Sequence, residues 1–386
     1  MTKEMGKPIT ESEDEIAWFS GEASWFSKEG KKYLHNENND VGIPEVTSHI
    51  EYNPIGVVGV ISPWNFPLET PMWAIVPALL AGNSVVWKPS TLVQLFSKRV
   101  YEIASEVFPK NVLTITLGDS NTGKFLVDSE INMLAFTGST RVGKEITSVL
   151  GGKLKKAVTE LGGSDPFIVL KDVDIDFAVK GAVLGRFYNC GQSCTAAKRF
   201  YIAHEIFDDF TDKFVEETKS LKIGDPLDKD TKIGPLVSKQ QSVLLKNQIV
   251  KSSKMGAKIL LGGSEKKCKG YFYKPTIMKN IDNKMPVIKE ETFGPVAPLI
   301  SVKNIEEAIK LSNDSQYGLG ASIWTKDKKK AEKIARHIQS GIVWINDVNI
   351  AYPQCPWGGV KDSGIGRELS VHGIREFTNI KSVIIK

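Results

Sequence analysis

The chain has 386 residues, 41% hydrophobic and 25% charged, and its 50 Lys and Arg against 45 Asp and Glu leave a formal net charge of +5. At ~150 residues per domain this length makes two or three compact units of ordinary globular composition, which excludes a disordered tail, a collagen-like fibre and a disulfide miniprotein. So small a charge excess, with no Lys/Arg block, predicts no nucleic-acid partner.

In chain order, residues 1–34 place Ile16, Trp18, Phe19, Trp25 and Phe26 at roughly helical spacing and predict an amphipathic helix. Glu11, Glu13, Asp14 and Glu15 interrupt any apolar run there, so no signal peptide is expected. Residues 36–40 form a polar turn cluster, and 47–51 are extended, a candidate arm. From Val57 the pattern alternates. Strands at 57–61, 84–87, 112–117, 133–136 and 157–159 alternate with helical segments at 68–81, 92–107, 122–127 and 142–150. Pro77 is expected to break the most apolar helix, 74–81, which is also far shorter than the ~20 residues of a membrane span. Short connections of this kind allow only parallel strands with helices on the faces, a doubly wound α/β domain.

A second run of the same kind starts near residues 167–170. It passes through a helix at 174–188, a strand at 199–203 and a helix at 208–219, and ends in a late strand at 341–346. Residues 382–385 form a β-branched terminal run with no sequence left to cover it, so pairing with another subunit is expected. A soluble, cytoplasmic protein follows from these features.

Four cysteines in so long a chain make no disulfide framework, and Cys190 and Cys194 have no partner pair at zinc spacing, so no metal is expected. Cys190 and Cys355 read as packing residues. Taken alone, Cys194 in Gly191-Gln192-Ser193-Cys194 also reads as an inert buried thiol. Glu160-Leu161-Gly162-Gly163 sets an acid before a glycine pair, where backbone can approach closely. Pro63-Trp64-Asn65-Phe66-Pro67 puts an amide directly after a strand, at the carboxyl edge where open α/β sheets bind ligands. Phe136-Thr137-Gly138-Ser139-Thr140 is a strand-to-helix turn whose free N–H groups suit a phosphate, or simply a helix cap.

In this order, and together with Lys88-Pro89-Ser90, Glu290-Glu291-Thr292-Phe293-Gly294-Pro295 and the segment from Pro356 to Glu368, these motifs closely resemble the aldehyde dehydrogenase superfamily. The resemblance runs from about Glu4 to the C-terminus. It implies an α/β fold of two doubly wound domains with a small β oligomerisation arm. The cofactor domain falls on residues 1–38 and 56–161, the catalytic domain on 162–365, and the arm on 39–55 and 372–386. It implies NAD(P)-dependent oxidation of an aldehyde to an acid, with NAD or NADP as cofactor, a small aldehyde as substrate, no membrane partner, and a homodimer or homotetramer.

By the same resemblance Cys194 is the nucleophile, Asn65 with the Cys194 backbone N–H the oxyanion hole, and Glu160 the base that activates water. Trp64, Lys88, Thr91, Gly138, Ser139, Glu291 and Phe293 fall at cofactor positions. Phe66, Trp73, Tyr188 and Trp357 line the substrate tunnel, with Glu69 as an anionic rim. Glu368 is either part of a proton exit path or a structural ion-pair member.

Two departures from the family pattern are visible. Asn65 arrives early, as though roughly a hundred residues ahead of it were absent, which predicts exposed apolar surface on the cofactor domain. Thr91 stands where NAD-preferring members often carry Glu, so NADP is expected to be accepted at least as well as NAD. Competing readings are a catalytically silent relative and a dehydrogenase that acylates coenzyme A. The intact Cys194, Asn65, Glu160 and Glu291 weigh against the first, and Glu160 against the second.

Overall fold

The computed structural model describes residues 1–386, which divide into two compact units. One comprises Met1–Glu13, Gly162–Ile350 and Gly359–Ser363; the other comprises Asp14–Leu161, Ala351–Gly358 and Gly364–Lys386. In chain order the strands are β1 (Glu37–Asn39), β2 (Thr47–Pro54), β3 (Val57–Ile61), β4 (Ser84–Lys88), β5 (Leu113–Ile115), β6 (Met133–Thr137) and β7 (Lys156–Glu160). They continue as β8 (Asp165–Val169), β9 (Ala197–Ala203), β10 (Lys258–Leu261), β11 (Thr276–Lys279) and β12 (Val296–Val302). The last four are β13 (Ser322–Trp324), β14 (Trp344–Ile345), β15 (Gly364–Ile365) and β16 (Thr378–Ile385).

The unit containing Asp14–Leu161 holds a six-stranded sheet in the order β15-β7-β6-β3-β4-β5. Strands β3 to β7 run parallel, and β15 folds back antiparallel on β7. Both faces are covered. Met133 and Ala135 of β6 pack with Val58, Val85 and Trp87 in one core, while Leu134 and Phe136 pack with Leu126, Ile146 and Leu150 in another. Successive residues of a strand point to opposite faces, so an apolar run such as 133–136 is what two covered faces require.

Asn83 ties this unit together. Its amide donates to the Ala78 and Phe377 carbonyls, both at 2.9 Å, and its oxygen accepts from the N–H groups of Ile55 at 2.7 Å and Gly56 at 2.9 Å. Several large apolar side chains of this unit stay in water, among them Leu95, Val107 and Phe125, each at least 75% exposed.

Pro77 does not break its helix. The helix runs unbroken from Glu69 to Leu80. Proline there removes one hydrogen bond and crowds the carbonyl four residues back, at ~3 kcal/mol. Burial of Trp73, Ala74, Ile75 and Ala78 along the same helix offsets that cost. The terminal run is also not unpaired. All eight residues of β16 pair antiparallel with β2, from Thr378 opposite Pro54 to Ile385 opposite Thr47. The resulting sheet has the order β1-β2-β16, which leaves the outer edge of β16 open.

The other unit holds a seven-stranded sheet, β10-β11-β12-β9-β8-β13-β14, parallel except for β10. Its core is aromatic: Phe167 lies 5.0 Å from both Phe200 and Trp324, ring centre to ring centre. No helix of the chain is long and apolar enough to cross a membrane.

Candidate active site

In the six-stranded unit the predicted residues gather at the carboxyl ends of four neighbouring parallel strands, β7-β6-β3-β4. Asn65 follows β3, Lys88 ends β4, Gly138 and Ser139 follow β6, and Glu160 ends β7. Register fixes this: Ile61 lies opposite both Lys88 and Phe136, and Thr137 opposite Glu160. The Gly138 N–H donates to the Glu160 carbonyl at 3.0 Å.

Ser139 occupies the N-cap of the helix Thr140–Gly152 but makes no side-chain cap bond. A helix start with backbone donors and its positive dipole end suits a phosphate. Lys88 is buried, and burial holds its ammonium below the usual lysine range. Thr91 is exposed and opens the short helical turn Thr91–Val93, directly after Ser90 caps Leu92 at 3.3 Å. These residues fit a dinucleotide pyrophosphate and ribose. Trp64 and Phe66 are half-buried, and Asn65 is buried.

Glu160 is buried, and neither of its carboxylate oxygens is hydrogen-bonded. Burial, and then the neighbouring Glu368, push its carboxyl well above the usual range, against the pull of Arg367. Gly358, at φ 145°, makes room for it, since a Cβ there would lie 2.7 Å from Glu160 Oε1. Glu368 bonds through its backbone to Trp357 in both directions at 2.8 Å. Burial and the charge of Glu22 push its carboxyl up to about 8. A carboxyl so placed favours its neutral form.

Trp73 and Trp357 pack against one another with ring centres 4.9 Å apart. The Trp73 indole N–H donates to Glu22 at 2.8 Å. Glu69 is buried rather than at a rim. Glu15 accepts from the backbone N–H groups of Leu68 at 2.8 Å and Glu69 at 3.1 Å, which satisfies the start of the helix behind the Asn65 loop. Neither supporting role was read from the sequence. The available signal was the recurrence of Glu11, Glu15 and Glu22 at helical spacing on an otherwise amphipathic segment.

In the seven-stranded unit the predicted residues lie instead at the amino ends of the neighbours β12, β9 and β8. Cys194 precedes β9, Glu291 and Phe293 precede β12, and Gly163 precedes β8. The turn Tyr188–Gly191 carries three successive left-handed residues, Asn189 (φ 51°), Cys190 (φ 55°) and Gly191 (φ 70°). Such backbone is costly for Asn and Cys and must be held from outside. Glu11 accepts from the Asn189 N–H at 2.7 Å, its carbonyl accepts from Tyr188 at 3.3 Å, and Gln192 accepts from the Val237 N–H at 2.9 Å. Cys194 follows this turn and is partly exposed. Cys190 is buried, and burial pushes its thiol far up, which makes it inert. Cys355, read from sequence as a packing residue, is exposed.

Two buried cations hold the backbone around Cys194, and both were missed. Arg186 donates to the carbonyls of Gly294, Thr292 (3.1 Å), Ala197 (3.4 Å) and Gly191 (3.5 Å). Burial pushes its guanidinium down to about 9. Lys198 donates to the Cys194 carbonyl at 2.7 Å and to Glu291 Oε1 at 3.2 Å. Their signal in the sequence was basic residues inside otherwise apolar stretches, 178–187 and 196–203.

One unit carries a doubly wound sheet with a phosphate-ready helix start and the other an α/β sheet with a partly exposed thiol, the two parts expected of a nucleotide-dependent dehydrogenase. The sequence pattern of the aldehyde dehydrogenase family matches residues 1–383. The succinate semialdehyde dehydrogenase [NAD(P)+] Sad of Escherichia coli K12 is 40% identical over 385 residues, covering 99% of this chain and 83% of that protein. The crystal structure of an NAD-dependent aldehyde dehydrogenase from Sinorhizobium meliloti superposes with a TM-score of 0.97 at 32% identity, over 100% of this chain and 77% of that one. That of betaine aldehyde dehydrogenase from Staphylococcus aureus in complex with NAD+ gives 0.95 at 34%, over 100% and 77%. The chain belongs to the aldehyde dehydrogenase family.

Proposed function

We propose that this chain, an NAD(P)-dependent aldehyde dehydrogenase, oxidises a small aldehyde to its acid through a covalent adduct on Cys194. The reading is carried by the buried carboxyl of Glu160, whose two oxygens have no hydrogen-bond partner in the chain. The Cys194 thiolate adds to the aldehyde carbon, and the new oxyanion takes hydrogen bonds from the Asn65 amide and the Cys194 N–H, donors typically worth ~100- to 1,000-fold in rate each. The bound cofactor supplies the hydride acceptor, with Ser139 and Lys88 for its phosphate and adenosine ribose and Glu291 for its other ribose. Once the thioester has formed, Glu160 takes a proton from water, which attacks the acyl carbon and returns the thiol.

The raised Glu160 carboxyl makes this last step faster as pH rises, because only the ionised form accepts a proton. The aldehyde tail that suits the Trp73–Trp357 wall is apolar. The three-stranded sheet, with β16 open on one side, is proposed to join copies of the chain by adding strands across that edge.

Two variants test the chemistry. Cys194→Ser should nearly abolish turnover. Glu160→Gln should release about one equivalent of reduced cofactor per chain in a fast burst and then stall as the acyl-enzyme. Loss of burst and steady state together in Glu160→Gln would assign Glu160 a different task.

A further inference from the structure

Four groups meet at the amino ends of β8, β9 and β12. Lys198, with a wholly buried side chain, donates at once to the Cys194 carbonyl at 2.7 Å and to Glu291 Oε1 at 3.2 Å. The Gly163 N–H donates to that same Oε1 at 3.1 Å. The Cys194 carbonyl lies so near the Cα of Gly163 that any Cβ there would collide with it. The Glu291 side chain is 21% exposed, and its Oε1 is already occupied by two donors. The Lys198 ammonium also lies 5.8 Å from the centre of the Phe293 ring.

Building on the roles proposed above for Cys194 and Glu291, we infer that Lys198 is a positioning residue that ties the nucleophile's backbone to the cofactor-binding carboxylate, so that occupancy at Glu291 changes how Cys194 is held. An ammonium sealed from water has no solvent to exchange its bonds with, so both are obligatory and each responds to the other. Hydroxyl donors arriving on Glu291 draw on its negative charge and weaken its hold on Lys198. The lysine's bond to the Cys194 carbonyl then strengthens. Arg186 grips the same two segments, but through backbone carbonyls only. It braces the junction and feels the charge of Glu291, but makes no hydrogen bond to that acid.

The readout is the alkylation rate of Cys194 by iodoacetamide, followed by mass spectrometry of its peptide, with and without saturating NADP+. Shielding by bound cofactor is common to all the proteins, so differences between them isolate the lysine. The ratio of rates with and without NADP+ should differ between wild type and Lys198→Met by about threefold or more, the scale of a modest coupling. Lys198→Arg, which keeps the charge and can reach both oxygens, should bring the ratio back toward wild type. Glu291→Gln keeps the side-chain volume and removes the sensed charge, so its ratio should also differ from wild type by about threefold or more, which keeps the test available where Lys198→Met fails to fold. Equal ratios in wild type and Lys198→Met, or in wild type and Glu291→Gln, overturn the inference. Turnover surviving in Cys194→Ala would instead remove the functional reading on which it rests.

Discussion

At Thr91 a single side chain stands at the adenosine end of the proposed cofactor site, three residues beyond Lys88 and in water. An acid there would accept bonds from a ribose diol and repel a 2′-phosphate, a repulsion of ~1 kcal/mol at ~4 Å in water and ~4 kcal/mol near a protein surface. Threonine has no such charge, while Lys88 remains to pair with the phosphate. NADP+ should therefore be used at least as well as NAD+, and Thr91→Glu should move the ratio of kcat/KM toward NAD+ by roughly tenfold or more. A wild type that strongly prefers NAD+, unmoved by the substitution, overturns this.

The substrate wall is decided at the same scale. Trp73 and Trp357 are both buried and already packed on each other, so their faces do not frame an open box for a cation. An aromatic cation site adds ~0.5–2 kcal/mol per contact. The kcat/KM ratio of a trimethylammonium aldehyde over a neutral one of equal size should stay near one in wild type and in Trp357→Ala. A ratio well above one that collapses in the variant would make the pair a cation site instead.

Among the elements, β16 shows how far pattern reading reaches. Its β-branched residues identified it as a strand, but its partner β2 lies more than three hundred residues earlier. No local spacing encodes a pairing of that separation. Ile380, Ile384 and Ile385 remain more than half exposed on it. An open edge bearing apolar side chains invites further strand addition. Where copies of the chain join through this edge as proposed, removing residues 380–386 should leave monomers or aggregates in light scattering, and an unchanged molecular mass would sink the proposed sheet contact. The helix Glu69–Leu80 carries the opposite lesson. Propensity ended it at Pro77, and burial of its neighbours overrode propensity.

For the whole molecule, the buried carboxyls set the pH dependence of stability. Burial pushes Glu22 up to about 7, Glu368 up to about 8 and Asp165 up to about 7, and raises Glu160 as well. Between the ordinary carboxyl range and these values the folded chain holds protons that the unfolded chain has released. Stability is therefore greatest at the acid end of that window and falls as pH rises toward about 8, by about 1.4 kcal/mol per pH unit for each such proton. The urea midpoint should drop between pH 6 and pH 8, and the double variant Glu22→Gln, Glu368→Gln should flatten the drop. An unchanged slope in that variant would show that other groups carry it.

Taken by itself, the sequence determined the alternation of strands and helices, the parallel sheets, and the positions of Asn65, Lys88, Ser139, Cys194, Glu160 and Glu291 in their motifs. These are local properties: periodicity, turn chemistry and residues a few positions apart. Only the tertiary structure decided that Glu11 supports the strained turn at Asn189, that Glu22 holds the Trp73 indole, and that Lys198 joins Cys194 to Glu291. Each of these links a charged side chain to a group distant in the chain, or turns it into an interior where charge is costly. Spacing and propensity describe a residue's neighbours in sequence, whereas the partner that makes a buried charge tolerable is chosen by packing.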